Sequence, residues 1–366
     1  MKTHKKIRFA VLGIVLISCA VSCGPSNYKM VTKINKDGSC ERIVYASADS
    51  AFLAGDTSKN PFLFALTPAW KIEQLDTALQ QKFMNKGLDV NVKAMQVFKK
   101  IGDCSAYLQC EENLSPLVTP VERLKKRFRW FYTYYSFSAR YKNIADKLPV
   151  PLSQYMTKEE QMLWFQGDLS GCKGMTGWEL KNKLDEIEKK YNQFQTRVFY
   201  EEVWYAIDYV ERNSSDTTYL ARMNSAKDTL FSIYAKEDEK IDVDFEEVCK
   251  MLDNYLKTNH FCKLYEAKKE ELEQVSKQKM GYIEIFMRRS FEYELIMPGK
   301  IISANTSASD TLSWDVEAFR FLGNDYILEA QSRTINIWAF VLTFFLGILT
   351  VFCFVKIVKM KKRYNG

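Results

Sequence analysis

The chain has 366 residues, a formal net charge of +7 and only two histidines. Four of the cations lie between Lys2 and Arg8 and five lie between Lys356 and Arg363, so the residues between these two groups carry a net charge of −2. The positive net charge therefore comes from the two ends of the chain, and we expect no nucleic-acid partner. His260 is the single histidine outside the amino-terminal segment, which leaves catalytic triads and histidine-based zinc sites without support.

The amino-terminal segment has the pattern of an export signal. An apolar run from Phe9 to Ile17 follows the basic residues, and at ~1.5 Å per residue its length of about 14 Å is well short of a ~30 Å hydrocarbon core. It therefore predicts a signal peptide rather than a permanent span. Two stretches, Leu16-Ile17-Ser18-Cys19 and Ala20-Val21-Ser22-Cys23, both look like a bacterial lipobox. Cys19 and Cys23 are both candidate lipidation sites, and an ordinary secretory signal is the alternative.

We call the part of the chain between the amino-terminal signal and the carboxyl-terminal apolar run the body. The sequence of its first part predicts strands with one intervening helix. Residues 28–47 alternate in polarity around Asn35-Lys36-Asp37-Gly38-Ser39, which predicts a hairpin. A helix is expected over 69–87 and a strand over 88–100. The aromatic, period-two run within residues 117–144 predicts one long strand. That strand either lines an apolar groove or is buried on both faces.

The middle of the body predicts a helical bundle. Apolar residues recur at spacings of three and four between Thr176 and Arg212, which indicates a long helix. A second helix is expected after Ser214, Ser215 or Asp216, and a third helix is expected to begin at Asp242 or Asp244 and to include His260. We expect His260 to be a surface or packing residue.

The last part of the body predicts strands and then a membrane helix. Strand character returns at Tyr282, Pro298-Gly299 forms a turn, and "KIISAN" and "TLSWDV" are expected to form a hairpin. The strand "YILEAQS" leads into the apolar run Ile335–Val355, whose 21 residues reach about 32 Å, enough to cross a bilayer. The basic tail that follows predicts a cytoplasmic carboxyl terminus.

No motif in the body points to catalysis or to a cofactor. The cysteines do not show the CxxC spacing that is typical of metal and redox sites. Adjacent carboxylates such as Glu201 and Glu202 point about 100° apart on a helix, so they do not converge as an acid/base pair would. We therefore predict a protein that is not an enzyme and that has no cofactor or metal. Cys104 and Cys110 are close enough in sequence to form a disulfide, with buried free thiols as the alternative.

Several short motifs resemble the LppM-like lipoprotein domain family. They are Asn35–Ser39, Pro298–Lys300, Asn305, Trp314 with Asp315, and Tyr326–Ser332, followed by the membrane helix. The resemblance covers about a third of the chain and implies a small, exported, membrane-tethered α+β domain for which lipid or glycolipid binding is proposed. The helical middle would then be an insertion between strands of that domain.

These observations predict an α+β protein in which strands of residues 27–48, 90–142 and 282–332 form one sheet-based, antiparallel unit. The expected segments are a signal peptide (1–22), the first part of the sheet domain (23–150), a helical insertion (151–280), the last strands (281–334), a transmembrane helix (335–358) and a cytoplasmic tail (359–366). The predicted function is a non-catalytic lipoprotein of the bacterial inner membrane, with its body on the extracytoplasmic side. It would bind a lipid or another apolar ligand, or an envelope protein through the bundle. The alternative is an envelope hydrolase that uses carboxylates or a metal.

Overall fold

The structure is a computed structural model that describes residues 28–106, 115–214, 216–235, 243–287, 290–306 and 311–364. The described strands are β1 (Tyr28–Ile34), β2 (Cys40–Ala46), β3 (Lys71–Gln74), β4 (Val92–Phe98), β5 (Val121–Arg129), β6 (Tyr132–Tyr141), β7 (Ser290–Ile296), β8 (Lys300–Ala304), β9 (Ser313–Glu317) and β10 (Tyr326–Ile335). The described α-helices are α1 (Ser50–Leu53), α2 (Thr77–Met84), α3 (Ile101–Ala106), α4 (Ser115–Val118), α5 (Lys158–Gln166), α6 (Gly177–Arg212), α7 (Leu220–Tyr234), α8 (Phe245–Leu256), α9 (His260–Met287) and α10 (Ile337–Tyr364). Together they form an α+β fold, which confirms the predicted class.

The larger sheet has six strands in the order β3-β4-β2-β1-β7-β9. β1 and β2 form the hairpin that the sequence predicts, and Gly38 in its turn adopts a φ of 101°. The Asp37 carboxylate supports this turn by accepting hydrogen bonds from the backbone and hydroxyl of Ser39. β1 and β7 pair in parallel, whereas we predict antiparallel pairing. A parallel pair needs a long crossover, and the helical segment between these two strands provides it.

The smaller sheet has four antiparallel strands in the order β5-β6-β10-β8. The prediction of one long aromatic strand is wrong, because the chain reverses at Trp130 and Phe131 and the segment forms the hairpin β5–β6. This turn contains no glycine, proline or asparagine, so the usual turn signal is missing and the alternation conceals the reversal. β6 alternates between buried and half-buried residues, so only one of its faces lies in the core.

Both sheets share one hydrophobic core, into which α5 and the first half of α6 also pack. Its large, fully buried side chains include Tyr135, Tyr141, Tyr293, Phe165 and Phe291. Burial of a phenylalanine side chain such as Phe165 or Phe291 contributes about 1.5–3 kcal/mol. The predicted unit built from amino-terminal and carboxyl-terminal strands is therefore present, but it consists of two sheets rather than one.

The helices α6 to α9 pack around a second core, which includes Trp204, Met223, Leu252 and Phe261. α6 has the predicted bounds and begins with a capping box between Thr176 and Glu179. This unit is the helical insertion that the sequence predicts.

Two features of the bundle helices differ from the prediction: the start of α7 and the length of the third helix. α7 begins at Leu220 without a side-chain cap, and the Asp216 carboxylate accepts instead from the backbone and hydroxyl of Thr218 in the preceding turn. The predicted third helix is two helices, because Lys257 takes a left-handed conformation between α8 and α9. Asp244 caps α8 as predicted, since its carboxylate accepts from the Glu246 backbone N–H.

Three further segments differ from the prediction. The helix expected over 69–87 starts only at Thr77, where Asp76 caps it, and the residues before it form the edge strand β3. α9 continues to Met287, so strand structure does not return at Tyr282. β8 and β9 do not form a hairpin, because β8 pairs with β10 in the smaller sheet and β9 pairs with β7 in the larger one.

Candidate membrane-contact site

The helix α10 contains a segment, Ile337–Met360, that is long and apolar enough to cross a membrane, and it is the one such helix among the described residues. The segment has 24 residues, so at ~1.5 Å per residue it reaches about 36 Å and exceeds a ~30 Å hydrocarbon core. Large apolar side chains of this segment, such as Phe344, Val351 and Phe354, are exposed and are not covered by the rest of the protein. A helix that is long and apolar enough to span a membrane is thus present where the span is predicted, and it begins two residues after the expected start at Ile335.

The smaller sheet is joined to α10 through the single residue Asn336. Its side-chain amide donates to the carbonyl oxygens of Arg129 and Trp130 at 3.2 and 3.1 Å, and its side-chain oxygen accepts from the Thr133 hydroxyl at 3.0 Å. Its backbone N–H donates to the Phe131 carbonyl at 2.9 Å. Asn336 therefore fixes the tip of the β5–β6 hairpin against the start of the membrane helix.

Aromatic side chains of the hairpin tip lie along the first two turns of α10. The Trp130 indole N–H donates to the Thr343 hydroxyl at 2.8 Å. The Phe131 ring lies 4.5 Å from that of Phe340, and the rings of Phe128 and Trp338 stack 6.1 Å apart. Thr343 is seven residues beyond Asn336, about 10 Å along the helix. Aromatic residues of this kind are enriched where membrane spans meet water.

The outer face of the smaller sheet carries cations and tyrosines next to this tip. Arg127 lies opposite Tyr134, which lies opposite Arg333, and in the next row towards α10 Arg129 lies opposite Tyr132. Residues directly opposite one another share a face of the sheet. We name these five residues, Arg127, Arg129, Tyr132, Tyr134 and Arg333, the arginine–tyrosine patch.

The arginine–tyrosine patch is partly exposed to solvent and rich in positive charge. Arg127 and Arg129 are exposed, and Arg333 lies over the Tyr132 ring with its guanidinium carbon 4.6 Å from the ring centroid. In the part of the chain that the structure describes, none of the three arginines forms an ion pair with a carboxylate. Two further exposed cations, Arg123 and Lys125, extend the same face away from α10. The patch is therefore a positively charged surface held beside the candidate membrane span α10.

A second polar cluster lies inside the shared core and is sealed from solvent. The Arg42 guanidinium donates to both oxygens of the Glu122 carboxylate, which also accepts from the hydroxyls of Ser105 and Tyr293. Burial lowers the pKa of Arg42, but the neighbouring Glu122 carboxylate outweighs it and raises the pKa above its ordinary value. Burial also raises the pKa of Tyr293. Since no substrate reaches these groups, we assign the cluster a structural role.

The helical unit borders a partly open cavity of about 560 Å³. Its lining includes Glu201, Lys227, Tyr205 and Lys279. Glu201 forms ion pairs with Lys227 and with Arg197, and Lys279 lies over the Tyr205 ring. The charges named here are therefore already partnered within the protein, in contrast to those of the arginine–tyrosine patch.

The sites predicted from sequence have different outcomes. Cys19, Cys23 and Cys110 lie outside the described residues, so lipidation and the Cys104–Cys110 disulfide stay predictions. Cys104 itself is fully buried, and its sulfur lies 2.7 Å from that of Cys40. His260 is a packing residue, as expected: its Nε2 lies 2.8 Å from the buried Glu211 carboxylate.

Among the residues that the structure describes, no group of three or more His, Cys, Asp or Glu side chains could hold a metal ion. No family model matches this chain, and neither a curated protein nor a solved structure matches it. The resemblance to LppM-like domains therefore stays a prediction. Some of its motifs do meet in space: Asn305 Oδ1 accepts from the Trp314 indole at 3.1 Å and from the backbone N–H of Glu329 in β10 at 2.8 Å.

Proposed function

We propose that this protein is a membrane-anchored, non-catalytic envelope protein that binds anionic phospholipid headgroups through the arginine–tyrosine patch. The observation that supports the proposal most directly is the hydrogen bond between Trp130 and Thr343. It holds the β5–β6 hairpin, with Arg127 and Arg129 near its tip, beside the membrane helix. The nearer row of the patch, Arg129 and Tyr132, lies opposite Ile335 and about 7 Å from the start of that helix, and the row of Arg333 lies about 13 Å from it. The nearer row would therefore meet the headgroup layer.

The residue types in the patch suit a phosphate group. A guanidinium presents several N–H donors in a planar fork that can bind phosphate oxygens with two parallel hydrogen bonds. The Arg333 guanidinium is already held over the Tyr132 ring, so part of the ordering cost is met before a lipid binds. Each cation near an anionic membrane surface contributes about 1 kcal/mol.

We further propose the inner membrane of a bacterium, with the body on the extracytoplasmic side and the tail in the cytoplasm. Arginines flank the body end of the span and lysines such as Lys356 and Lys359 flank the other end, so the charge near the helix does not decide the orientation alone. The basic and apolar start of the chain, with its candidate lipidation sites Cys19 and Cys23, supplies the second argument, because it is typical of an exported protein.

The proposal is tested by measuring lipid retention on the full-length chain. The protein is extracted in a mild detergent, and native mass spectrometry measures bound phosphatidylglycerol and phosphatidylethanolamine. We expect the double variant Arg127→Gln/Arg129→Gln to bind phosphatidylglycerol about 30-fold more weakly, because two contributions of about 1 kcal/mol are lost. Wild-type binding should also weaken as salt rises.

A matched control removes the same charge elsewhere. Lys82 and Lys86 are exposed on and just after α2, so Lys82→Gln/Lys86→Gln should leave phosphatidylglycerol binding unchanged. Equal binding by the two double variants would refute the assignment of the patch. Equal retention of neutral and anionic lipid by the wild type would show that the annular bilayer, rather than a headgroup site, is being measured.

A further inference from the structure

Two cysteines that are far apart in sequence meet in the shared core. Cys40 is the first residue of β2 and Cys104 lies in α3, and both side chains are fully buried. Their sulfur atoms are 2.7 Å apart. A disulfide bond joins sulfurs at about 2.05 Å, so a small rotation of either side chain closes the remaining gap.

The elements that carry these cysteines are held on several sides. β2 is paired with β1 on one side and with β4 on the other, and Cys40 lies opposite both Ile34 and Phe98. α3 packs against β2, β4 and β5. Folding of the sheet therefore brings the two sulfurs together without help from a ligand or a second chain.

In the folded protein each of the two thiols changes the pKa of the other. The pKa of Cys40 is lowered, mainly through its hydrogen bond with Cys104, and the nearby Arg42 guanidinium adds to this effect against the opposing influence of burial. The pKa of Cys104 is raised, through its hydrogen bond with Cys40 and through burial. These shifts belong to the folded contact, and before it forms the thiolate of either cysteine is the form that attacks a disulfide.

We propose that Cys40 and Cys104 form an intramolecular disulfide in the mature protein, an inference that rests on the extracytoplasmic location proposed above. The Cys40 thiolate attacks the disulfide of an oxidised dithiol carrier and forms a mixed disulfide with one carrier sulfur. The Cys104 thiolate then attacks the Cys40 sulfur and releases the carrier. The two protein thiols lose two electrons and two protons, and the carrier gains them as a dithiol. Because both sulfurs are sealed in the folded protein, the exchange takes place before α3 closes over β2.

The disulfide would tie α3 to the larger sheet beside the buried Arg42–Glu122 pair. Ser105, the residue after Cys104, donates to Glu122 at 2.7 Å. The bond therefore positions a hydrogen-bond donor of the buried cluster as well as closing a long loop in the unfolded chain. Closing a loop of this length restricts the unfolded state and raises stability.

The first measurement uses full-length protein from cells that are quenched in acid, which stops thiol exchange. Free thiols are alkylated under denaturing conditions, and the digest is mapped before and after reduction. We expect a cross-linked peptide pair containing Cys40 and Cys104 that is lighter than the two separate peptides by two hydrogens and that disappears on reduction. Alkylation of both cysteines before reduction, or a Cys104–Cys110 link, would overturn the proposal.

Variants separate this bond from other thiols. Cys40→Ser and Cys104→Ser should each abolish the cross-link and leave the remaining cysteine open to alkylation after denaturation. Cys249→Ser removes another buried cysteine, in α8 of the helical unit, and should leave the cross-link intact. Reduction of the wild-type protein should lower its melting temperature by several degrees, and reductant should leave the melting temperature of Cys104→Ser unchanged.

A second measurement distinguishes failure of the pairing from failure of the proposed location. Reduced, unfolded full-length chain is refolded in detergent with glutathione disulfide as the oxidant. A Cys40–Cys104 link that forms here but is missing from acid-quenched cells would show that the geometry is right and that the body does not reach an oxidising compartment. A link missing from both preparations would refute the pairing itself, while the lipid-binding test above would still stand.

Discussion

The Arg42 guanidinium on β2 and the Glu122 carboxylate on β5 form an ion pair that joins the two sheets inside their common core. The distances from Arg42 Nη2 to the two carboxylate oxygens are 2.7 and 2.8 Å, and both side chains have 0% exposure. Hydroxyl groups of Ser105 and Tyr293 donate to the same carboxylate. Each sheet therefore contributes one charge, and the energy of this pair depends on the sheets keeping their relative position.

Removal of one charge from this pair should destabilise the protein strongly. We expect Arg42→Met to lower the free energy of unfolding by about 3–5 kcal/mol, because Glu122 is left buried without its counter-charge. Glu41→Gln on the neighbouring, partly exposed pair with Lys33 should cost about 1 kcal/mol or less. Chemical denaturation of the full-length chain in detergent measures both. The double variant Arg42→Met/Glu122→Leu should recover much of the loss, and equal losses for the single and double variants would contradict this account.

The sequence contains part of the evidence for this ion pair. Period-two alternation places Arg42 on the same face as Val44 and Ala46, which the structure shows to be fully buried. A cation on a buried face requires a buried partner, so the need for an acid follows from the pattern. The identity of the acid does not follow, because Glu122 lies 80 residues further along the chain on a different sheet.

The contact between the hairpin tip and α10 gives a second prediction. Thr343→Val removes the acceptor of the Trp130 indole N–H. Hydrogen bonds in membrane proteins contribute about 0.6 kcal/mol on average, so backbone amides near the tip should exchange hydrogen about threefold faster. Hydrogen–deuterium exchange in lipid nanodiscs measures the rate. Thr350→Val is the matched control, because the hydroxyl of Thr350 donates only to Leu346 of its own helix. An equal effect of both variants would refute the contact.

The candidate site could be predicted from the sequence only in pieces. The membrane helix follows from its length and apolar composition, and the cations of β5 are visible as a charged, aromatic run. Their proximity is not visible, since the hairpin tip meets a helix that begins more than 200 residues later, as the Asn336–Trp130 contact shows. The long helix α6 was predictable because its apolar stripe and its cap at Thr176 are local signals. Pairing of β8 and β9 with different sheets depends on long-range contacts that local patterns do not encode.

Gly299 supports a third prediction, because the backbone of β10 passes close to it. Its φ is 81°, and a Cβ atom there would lie 2.2 Å from the carbonyl oxygen of Arg333. Gly299→Ala should therefore combine about 1–2 kcal/mol of backbone strain with about 1–3 kcal/mol of overpacking. Gly38→Ala is the control, since Gly38 has a φ of 101° and open space around it. Thermal unfolding should show a clearly larger loss for Gly299→Ala, and equal losses would mean that β8 and β10 separate to admit the methyl group.

The pH dependence of the contact between α5 and α6 gives the fourth prediction. Burial raises the pKa of Glu160, but hydrogen bonds from Lys190 on α6 and from Thr157 outweigh it and lower the pKa below the ordinary 4.5. The stabilising contribution of Glu160 is therefore fully present above about pH 4.5 and is lost as pH falls through the lower, folded-state pKa. We expect Glu160→Gln to cost about 1 kcal/mol near pH 7 and progressively less as the pH falls below 4.5, as measured by denaturation at each pH. Glu159→Gln removes an exposed charge in the same helical turn. The difference in stability between this variant and the wild type should not shrink in this way as the pH falls. A loss for Glu160→Gln that stays constant with pH would show that the carboxylate contributes by packing rather than by charge.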